Sequence, residues 1–358
     1  VKLPFGNFKS KSLFGLDIGS SSVKAVELKT TAKGFELLHL GVAQLPHEAI
    51  VQGAFLNAGA IAEAIRQAVG TAKIKSTNVA VAVSGHSVIV KKISLPTMTR
   101  EELEESIRWE AEQYIPFDVN EVNLDFQILN PGVIEGQMDV LLVAAKKDLI
   151  DDYVNVLSEA GITASVIDVA GFAVANAYAA NAERGPDEVV AVVNIGAQST
   201  NINVLAGGVP AFTRDISVGG NAYTEEIQKA LSINFDEAER IKLGGSGEED
   251  SQDVVPQEVE QAMRNVSDSV IGEISRSLDF FSATSAESRI SKVFLAGGSS
   301  KVSGLDKRFE EKTGLAVERL NPLARMLPSS MYESDFVSEM APFLGVGVGL
   351  ALRDGSER

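Results

Sequence analysis

The stretch Leu13-Phe14-Gly15-Leu16-Asp17-Ile18-Gly19-Ser20-Ser21-Ser22-Val23-Lys24-Ala25-Val26 returns in altered form as Val189-Val190-Ala191-Val192-Val193-Asn194-Ile195-Gly196-Ala197-Gln198-Ser199-Thr200-Asn201-Ile202. Each copy reads as an apolar strand, an Asp/Asn-x-Gly turn with small hydroxyl residues, and a second strand. Each therefore ends in a hairpin tip of bare backbone N–H groups, and two such tips can close on one polyphosphate from opposite sides. Taken singly, either is an ordinary hairpin turn. The pairing, a domain's length apart, is what points to phosphate, and the GxxxxGK[ST] loop of other phosphate binders is absent.

The composition fits this reading. A chain of 358 residues, 45% hydrophobic and 23% charged, has the size and balance of two globular domains. Its 32 basic residues against 49 acidic ones give a net charge of −17, which argues against nucleic acid, whose backbone calls for a basic face. There is no cysteine, so disulfides and thiolate metal sites are excluded, and His39, His47 and His86 have no ligand spacing. The run Met340 to Leu352 is too short to span a bilayer, and the first residues lack the pattern of a signal peptide, so a cytoplasmic protein is expected. Residues 1–12 form a short basic and aromatic lead-in, with Lys2, Lys9 and Lys11 beside Phe5 and Phe8.

From 13 to 84 the pattern is strand, turn, strand, strand (34–45), helix (57–70) and a fully apolar strand at 79–83. Residues 87–165 break this style. A strand at 87–95 precedes a helix opened by the capping pair Thr99 and Glu102 and ended near Ile115 by Pro116. Strands at 122–129 and 138–145 follow, then a helix from 147 to 160 closed by Gly161. This β-α-β-β-α module reads as an insertion. A strand at 164–169 and an alanine-rich helix at 170–182 return to the first pattern. The second half carries strands at 189–195, 200–206 and 209–216, then Gly219-Gly220, a helix at 222–231 and charge-rich helical sequence at 235–284 interrupted by an acidic loop, 244–253. A strand at 292–296 then opens into Gly297-Gly298-Ser299-Ser300.

The candidate phosphate contacts are Asp17, Gly19, Ser20, Ser21, Ser22 and Lys24 at the first tip, and Asn194, Gly196, Ala197, Gln198, Ser199 and Thr200 at the second. Asp17 would repel phosphate, so its expected task is to hold a hydrated Mg²⁺. Gly297, Gly298 and Ser299 form a third element, where missing Cβ atoms would let a purine and ribose lie against the backbone.

These hairpins, the Ala-Gly-Gly-Ser-Ser turn and the order of elements resemble the actin-like ATPase superfamily, from residue 13 to about 352. The resemblance implies an α/β, actin-like (ribonuclease H-like) two-domain fold that binds ATP with Mg²⁺. Gly219-Gly220-x-x-x-Thr224-x-x-Ile227 and Glu237-Ala238-Glu239-Arg240-Ile241-Lys242 resemble its bacterial FtsA and PilM branch. That implies adenosine contacts by Gly220, Glu239 and Lys242; the plain alternative for the last two is a solvated i,i+3 ion pair. The insert lies where that branch carries subdomain 1C. The implied division is 13–86 with 163–187 and 340–352 as subdomain 1A, 87–162 as 1C, 188–225 with 285–339 as 2A, and 226–284 as 2B.

Trp109-Glu110-Ala111-Glu112-Gln113-Tyr114-Ile115-Pro116-Phe117 resembles the signature of the PilM family of type IV pilus assembly proteins. That resemblance implies a scaffold at the inner-membrane assembly platform, reaching the membrane only through its partners. The partners implied are the cytoplasmic N-terminal peptide of PilN and the pilus motor ATPases; a homo-oligomer or ring is left open. Leu103, Ile107, Ala111 and Tyr114 follow one helical stripe, whereas Trp109 lies about 200° from Ile107 at about 100° per residue. Trp109, Tyr114 and Phe117 are therefore candidates for a peptide-binding wall, against the alternative that Trp109 packs on a neighbouring subdomain.

Hydrolysing relatives in many cases carry aspartate where this chain has Asn194, so nucleotide binding with slow turnover is expected. Asp168, at the end of the strand 164–169, is the remaining candidate for polarising water. Two other functions fit the superfamily. A sugar-kinase-type phosphotransferase would need a catalytic base. An FtsA-like filament former would be expected to carry a C-terminal amphipathic helix, which Ala351 to Arg358 does not resemble.

Overall fold

A computed structural model describes residues 13–130, 136–182, 188–244, 257–285, 289–327 and 329–353. The lead-in 1–12 and nearly all of the acidic loop fall outside them. Strands β1 (Leu13–Ile18), β2 (Ser22–Thr31) and β3 (Gly34–Gln44) form an antiparallel meander. A two-residue pair, β4 (Ile50–Val51) and β5 (Ala54–Phe55), leads to helix α1 (Ala58–Ala72) and strand β6 (Asn78–Val83), which returns parallel to β1. The module follows as β7 (Val88–Pro96), α2 (Arg100–Ala111), β8 (Val122–Asn130), β9 (Gln137–Lys146) and α3 (Lys147–Glu159). Strand β10 (Thr163–Val169) then joins the first sheet, giving the order β10-β6-β1-β2-β3.

Helix α4 (Ala170–Asn181) crosses to the second half. There β11 (Val189–Ile195), β12 (Thr200–Ala206) and β13 (Val209–Ile216) repeat the meander, and α5 (Asn221–Leu231), α6 (Phe235–Lys242) and α7 (Gln257–Thr284) cover it. Strand β14 (Lys292–Ala296), helix α8 (Leu305–Thr313) and β15 (Ala316–Arg319) complete a sheet of order β13-β12-β11-β14-β15. Helices α9 (Ser334–Met340) and α10 (Gly345–Ala351) close the chain. The two sheets have the same pattern, with β11 answering to β1 and β14 to β6: antiparallel hairpin on one side, parallel neighbour on the other.

Burial explains how the halves are held. In β1, Phe14, Leu16 and Ile18 point to one face and pack on α1 and α3, while Gly15 and Asp17 point to the other. That other face meets α10. Between the sheets, α4 and α10 share a core with Ala80 and Ala82 of the first sheet and Val190, Val192 and Ala296 of the second. Helix α4 is apolar around most of its circumference because most of it is buried. Gly349 of α10 crosses the carbonyl of Ala173 in α4 with no room for a Cβ. Glycine is what lets this layer be thin.

The module's three strands, in the order β7-β9-β8, pack Val140 and Leu142 against Leu103, Ile107 and Ala111 of α2. The capping box at Thr99 and Glu102 is formed, with both reciprocal bonds present. Helix α2 ends at Ala111, one turn earlier than its apolar stripe suggests. Pro116 disfavours helical backbone at Ile115, and Tyr114 N–H instead donates to the Ala111 carbonyl at 2.9 Å in a turn. Helix α3, though part of the insert in sequence, buries Tyr153, Val156 and Leu157 with α1 against the first sheet.

Candidate functional site

The two hairpin tips have the same geometry. Gly19 N–H donates to the Ser22 carbonyl at 3.1 Å, and Gly196 N–H donates to the Ser199 carbonyl at 2.9 Å. The residue two before each glycine meets a cross-strand partner at the same register: Asp17 faces Lys24, and Asn194 faces Asn201. The first pair is ionic, Lys24 Nζ lying 3.1 Å from Asp17 Oδ2 with both side chains largely buried. The second is neutral, Asn194 Nδ2 donating to Asn201 Oδ1 at 3.1 Å. Among the described residues no group of three His, Asp or Glu could ligate a metal directly. A cation near Asp17 would therefore keep most of its water.

The second tip is tied down from several directions. Gly220 N–H donates to the Gly196 carbonyl at 2.9 Å, Asn221 N–H to Ala197 at 2.7 Å, and Ser299 Oγ to Gly196 at 2.9 Å. The tip thus rests on the start of α5 and on the Gly-Gly-Ser-Ser turn. Gln198 reaches across to the first half, donating to the Ile50 carbonyl at 2.6 Å and accepting from Gln52 N–H at 3.0 Å. Its side-chain amide is committed to clasping the β4–β5 pair. Asn201 Nδ2 continues from Asn194 to Asp215 Oδ1 at 2.7 Å, and Asp215 Oδ2 accepts from Gly85 N–H at 2.5 Å. A relay of polar groups thus runs from the second tip to the root of the module.

The glycines after β14 are also required by the fold itself. A Cβ at Gly298 would lie 2.8 Å from the ring of Phe343, and one at Gly297 would lie 2.8 Å from Asn194 Oδ1. Gly297 also has φ of 85°, which favours glycine. The missing side chains are filled by the protein itself. Ser299, expected among the nucleotide contacts, uses its hydroxyl on Gly196.

Glu239 and Lys242 do not form a solvated pair. Lys242 Nζ is 2.6 Å from Glu239 Oε2, and its side chain is only 10% exposed. Thr224 Oγ1 donates to Glu239 at 2.5 Å, and Lys242 Nζ donates to Thr224 at 3.0 Å and to the Gly220 carbonyl at 3.3 Å. The cluster locks α6 to the first turn of α5, and through Gly220 to the second tip.

Register places Asp17, Ala82 and Asp168 in one row across β1, β6 and β10, on the face under α10. Two strand spacings separate the carboxylates, about 10 Å. The Asp168 side chain is only 7% exposed, accepts from Val169 N–H at 2.7 Å, and lies 3.6 Å from Arg353 Nε just after α10. Its charge is matched from within the protein.

In the module, Tyr114 and Phe117 pack on the core, with Lys146 Nζ 4.6 Å from the Phe117 ring centre. Trp109 is 73% exposed and belongs to none of the buried clusters among the described residues. Of the three aromatics, Tyr114 and Phe117 are partly buried and Trp109 faces solvent.

Two like sheets around shared helices, each with a phosphate-type hairpin, define an actin-like protein. An archaeal actin homolog, Ta0583, superposes with a TM-score of 0.50 at 11% identity over 95% of this chain and 98% of its own. EutJ of Carboxydothermus hydrogenoformans does so with 0.57 at 16% identity, over 95% and 88% of the two chains; both likenesses concern the fold alone. The FtsA cell division protein of Escherichia coli K12 is 25% identical over 255 residues, 65% of this chain and 60% of FtsA, so the matched part spans about three-fifths of that relative. A chain of a solved PilM-PilN type IV pilus biogenesis complex is 32% identical with a TM-score of 0.85, covering 97% of this chain and 99% of that one. The family model described as type IV pilus assembly protein PilM matches residues 15–355, and the chain belongs to this family. Among the described residues no helix is long and apolar enough to cross a membrane.

Proposed function

We propose that this chain is a nucleotide-loaded scaffold of the type IV pilus inner-membrane platform, holding ATP and Mg²⁺ between its two tips and capturing the cytoplasmic N-terminal peptide of PilN. The observation that carries the reading is the matched pair of tips with unlike cross-strand partners, Asp17 with Lys24 and Asn194 with Asn201. Lys24 and the N–H groups near Ser20, Ser21 and Ser22 would take phosphate oxygens on one side, and those near Ala197, Ser199 and Thr200 on the other. Asp17 would hold Mg²⁺ through water. When bound, the metal would neutralise phosphate charge. Glu239 and Lys242, beside Gly220, would border the adenosine.

Turnover would be slow for two local reasons. Asn194 cannot remove a proton from water, and Asp168 is engaged with Arg353. The same features count against a sugar-kinase-type transferase, which needs a base at the transferred phosphate. A ligand that prefers the closed arrangement of the halves stabilises it by mass action. The PilN peptide would then sit on the side of the module near Tyr114 and Phe117, and motor ATPases would meet the assembled platform.

The test is calorimetric titration of a synthetic PilN N-terminal peptide into the chain, with and without ATP and Mg²⁺, alongside Asp17→Asn. Peptide affinity should rise with nucleotide in the wild-type chain and not in the variant, with steady-state turnover well below about 1 s⁻¹. Peptide binding indifferent to nucleotide, or absent, overturns the scaffold reading; turnover of several per second overturns the slow-turnover part.

A further inference from the structure

Trp109 is the chain's single tryptophan and, at 73% exposed, shares with Leu243 the highest exposure among the described large hydrophobic residues. A tryptophan left in water on a regular helix is unusual, because such rings carry much of the energy of protein interfaces. Its surroundings are specific. On an α-helix the residues three and four away share a surface with it, and for Trp109 these include Glu105 at i−4 and Glu112 at i+3. Glu112 keeps helical backbone at the C-cap. About two turns nearer the N-terminus than Trp109, Glu102 and Glu101 continue the same face. Glu101, Glu105 and Glu112 are exposed and form no ion pair among the described residues.

Helix α2 carries two basic residues, one turned away from this face and one at its edge. Arg100 pairs with Glu104 at 3.0 Å and stands over the Phe126 ring of β8, on the flank that faces the sheet. Arg108 lies about 100° around the helix from Trp109, at i+3 from Glu105 and i−4 from Glu112; it borders these carboxylates but forms no ion pair with either among the described residues, and one cation leaves the face acidic. The face centred on Trp109 is thus one aromatic ring among carboxylates that repel one another. Like charges at i,i+4, as at Glu101 and Glu105, weaken a helix. Here Thr99 and Glu102 cap it and Leu103, Ile107 and Ala111 bury its other side.

We propose that this outer face of α2 is a docking surface for a basic segment of a partner protein, an arginine- or lysine-bearing strand or helix that lays a cation over the Trp109 ring and pairs with Glu105 and Glu112. Charge selects the occupant. An acidic or neutral apolar segment would gain the ring and leave the carboxylates facing it. A guanidinium gains both, stacking on the indole and forking to carboxylate. The surface is independent of the nucleotide reading and lies about half a helical turn or more from the core-facing side of α2. It can therefore be occupied while that side is engaged.

Because Trp109 is the only indole, its fluorescence reports this face alone. The probe is a synthetic eighteen-residue peptide of alternating leucine and arginine blocks, titrated into the full chain, with a glutamate-for-arginine counterpart as control. The arginine peptide should change the emission and protect the ring from acrylamide, and binding should weaken with salt. A chain of this net charge attracts any basic peptide, so the deciding comparison is between two double variants of equal charge change. Glu105→Gln with Glu112→Gln should weaken binding about tenfold or more, whereas Glu258→Gln with Glu311→Gln, exposed residues elsewhere, should stay within about twofold. Trp109→Ala, read by anisotropy of a labelled peptide, should lose binding comparably. Equal affinity in the two Glu variants overturns the proposal. So does a peptide-independent emission shift that grows with protein concentration, which would make the occupant a second copy of this chain.

Discussion

Gly219 lies where the first turn of α5 meets the second tip, and replacing it with alanine tests that junction directly. A Cβ built there would lie 2.6 Å from the Gly196 carbonyl oxygen and 2.7 Å from that of Ala197. Real Cβ atoms essentially never come within 3.0 Å, so the tip and helix must part by about 0.4 Å. Neither neighbour is a flexible side chain that can swing aside. The same carbonyls accept the bonds from Gly220 and Asn221 that seat the tip, so the opening lengthens two hydrogen bonds as well as straining the contact. Overpacking of this kind costs about 1–3 kcal/mol, a fall in Tm of roughly 3–10 °C for a half-molecule of this size. Gly272→Ala is the comparison. Gly272 lies within α7 with nothing within 4 Å of its would-be Cβ, and alanine there should add about 0.5–1 kcal/mol by helix propensity. Differential scanning calorimetry of both variants decides the matter. If Gly219→Ala melts at or above the wild-type temperature while Gly272→Ala rises, the tip does not sit on α5 as described. If both fall, the reasoning from open space fails too.

Three further outcomes follow from single contacts. Arg308 first, and Lys312 next, hold the Asp268 carboxyl well below the usual carboxylate range through hydrogen bonds, those from Arg308 Nη2 and Lys312 Nζ being 2.6 and 2.7 Å. A depressed carboxylate stabilises the fold above its unfolded value near pH 3.9 and loses that effect as pH falls toward the folded value. Asp268→Asn should therefore flatten the acid limb of a stability-versus-pH curve below about pH 4, and an unchanged limb would refute this. Gln198→Ala should raise amide exchange at Gln52 about tenfold, measured by mass spectrometry, with little change in global stability. Lys242→Met should cost about 1–2 kcal/mol in urea unfolding by leaving Glu239 without its cation, and Glu239→Gln in the same chain should recover part of it.

Much of the fold is written locally. Strands β11 to β14 coincide with their expected spans because runs such as Val189-Val190-Ala191-Val192-Val193 are β-branched, buried and bounded by turn residues. The duplication of the hairpin also shows in sequence, since tip glycines are dictated by the turn itself. What sequence does not show is where side chains go once the halves meet. Gln198 sits in a phosphate-type turn, yet its amide is held by backbone almost 150 positions earlier. Gly297 and Gly298 suggest room for a ligand, and only the fold shows that Asn194 and Phe343 lie where their side chains would be. The ion pair of Asp168 depends on Arg353, which no local pattern connects to it. The helices after residue 300 carry little local signal: α8 and α9 have few apolar positions, and α10 is a run of alternating glycine and apolar residues whose helix rests on tertiary burial. Trp109 stood out by periodicity, but only its exposure separates a solvent face from a packed one.

The amide relay at the second tip has a direction, and direction limits substitution. Asn201 receives a proton donor from Asn194 at its oxygen and hands its own NH₂ to Asp215, which in turn takes Gly85 N–H. An aspartate at 194 would turn an acceptor on the Asn201 oxygen. Rotating the Asn201 amide to suit it would set that oxygen against Asp215. Either way one link reverses and the chain of bonds no longer reads from end to end. The residue at 194 is thus chosen as a word is by its sentence: the neutral amide there follows from the grammar of its neighbours before catalysis has any say.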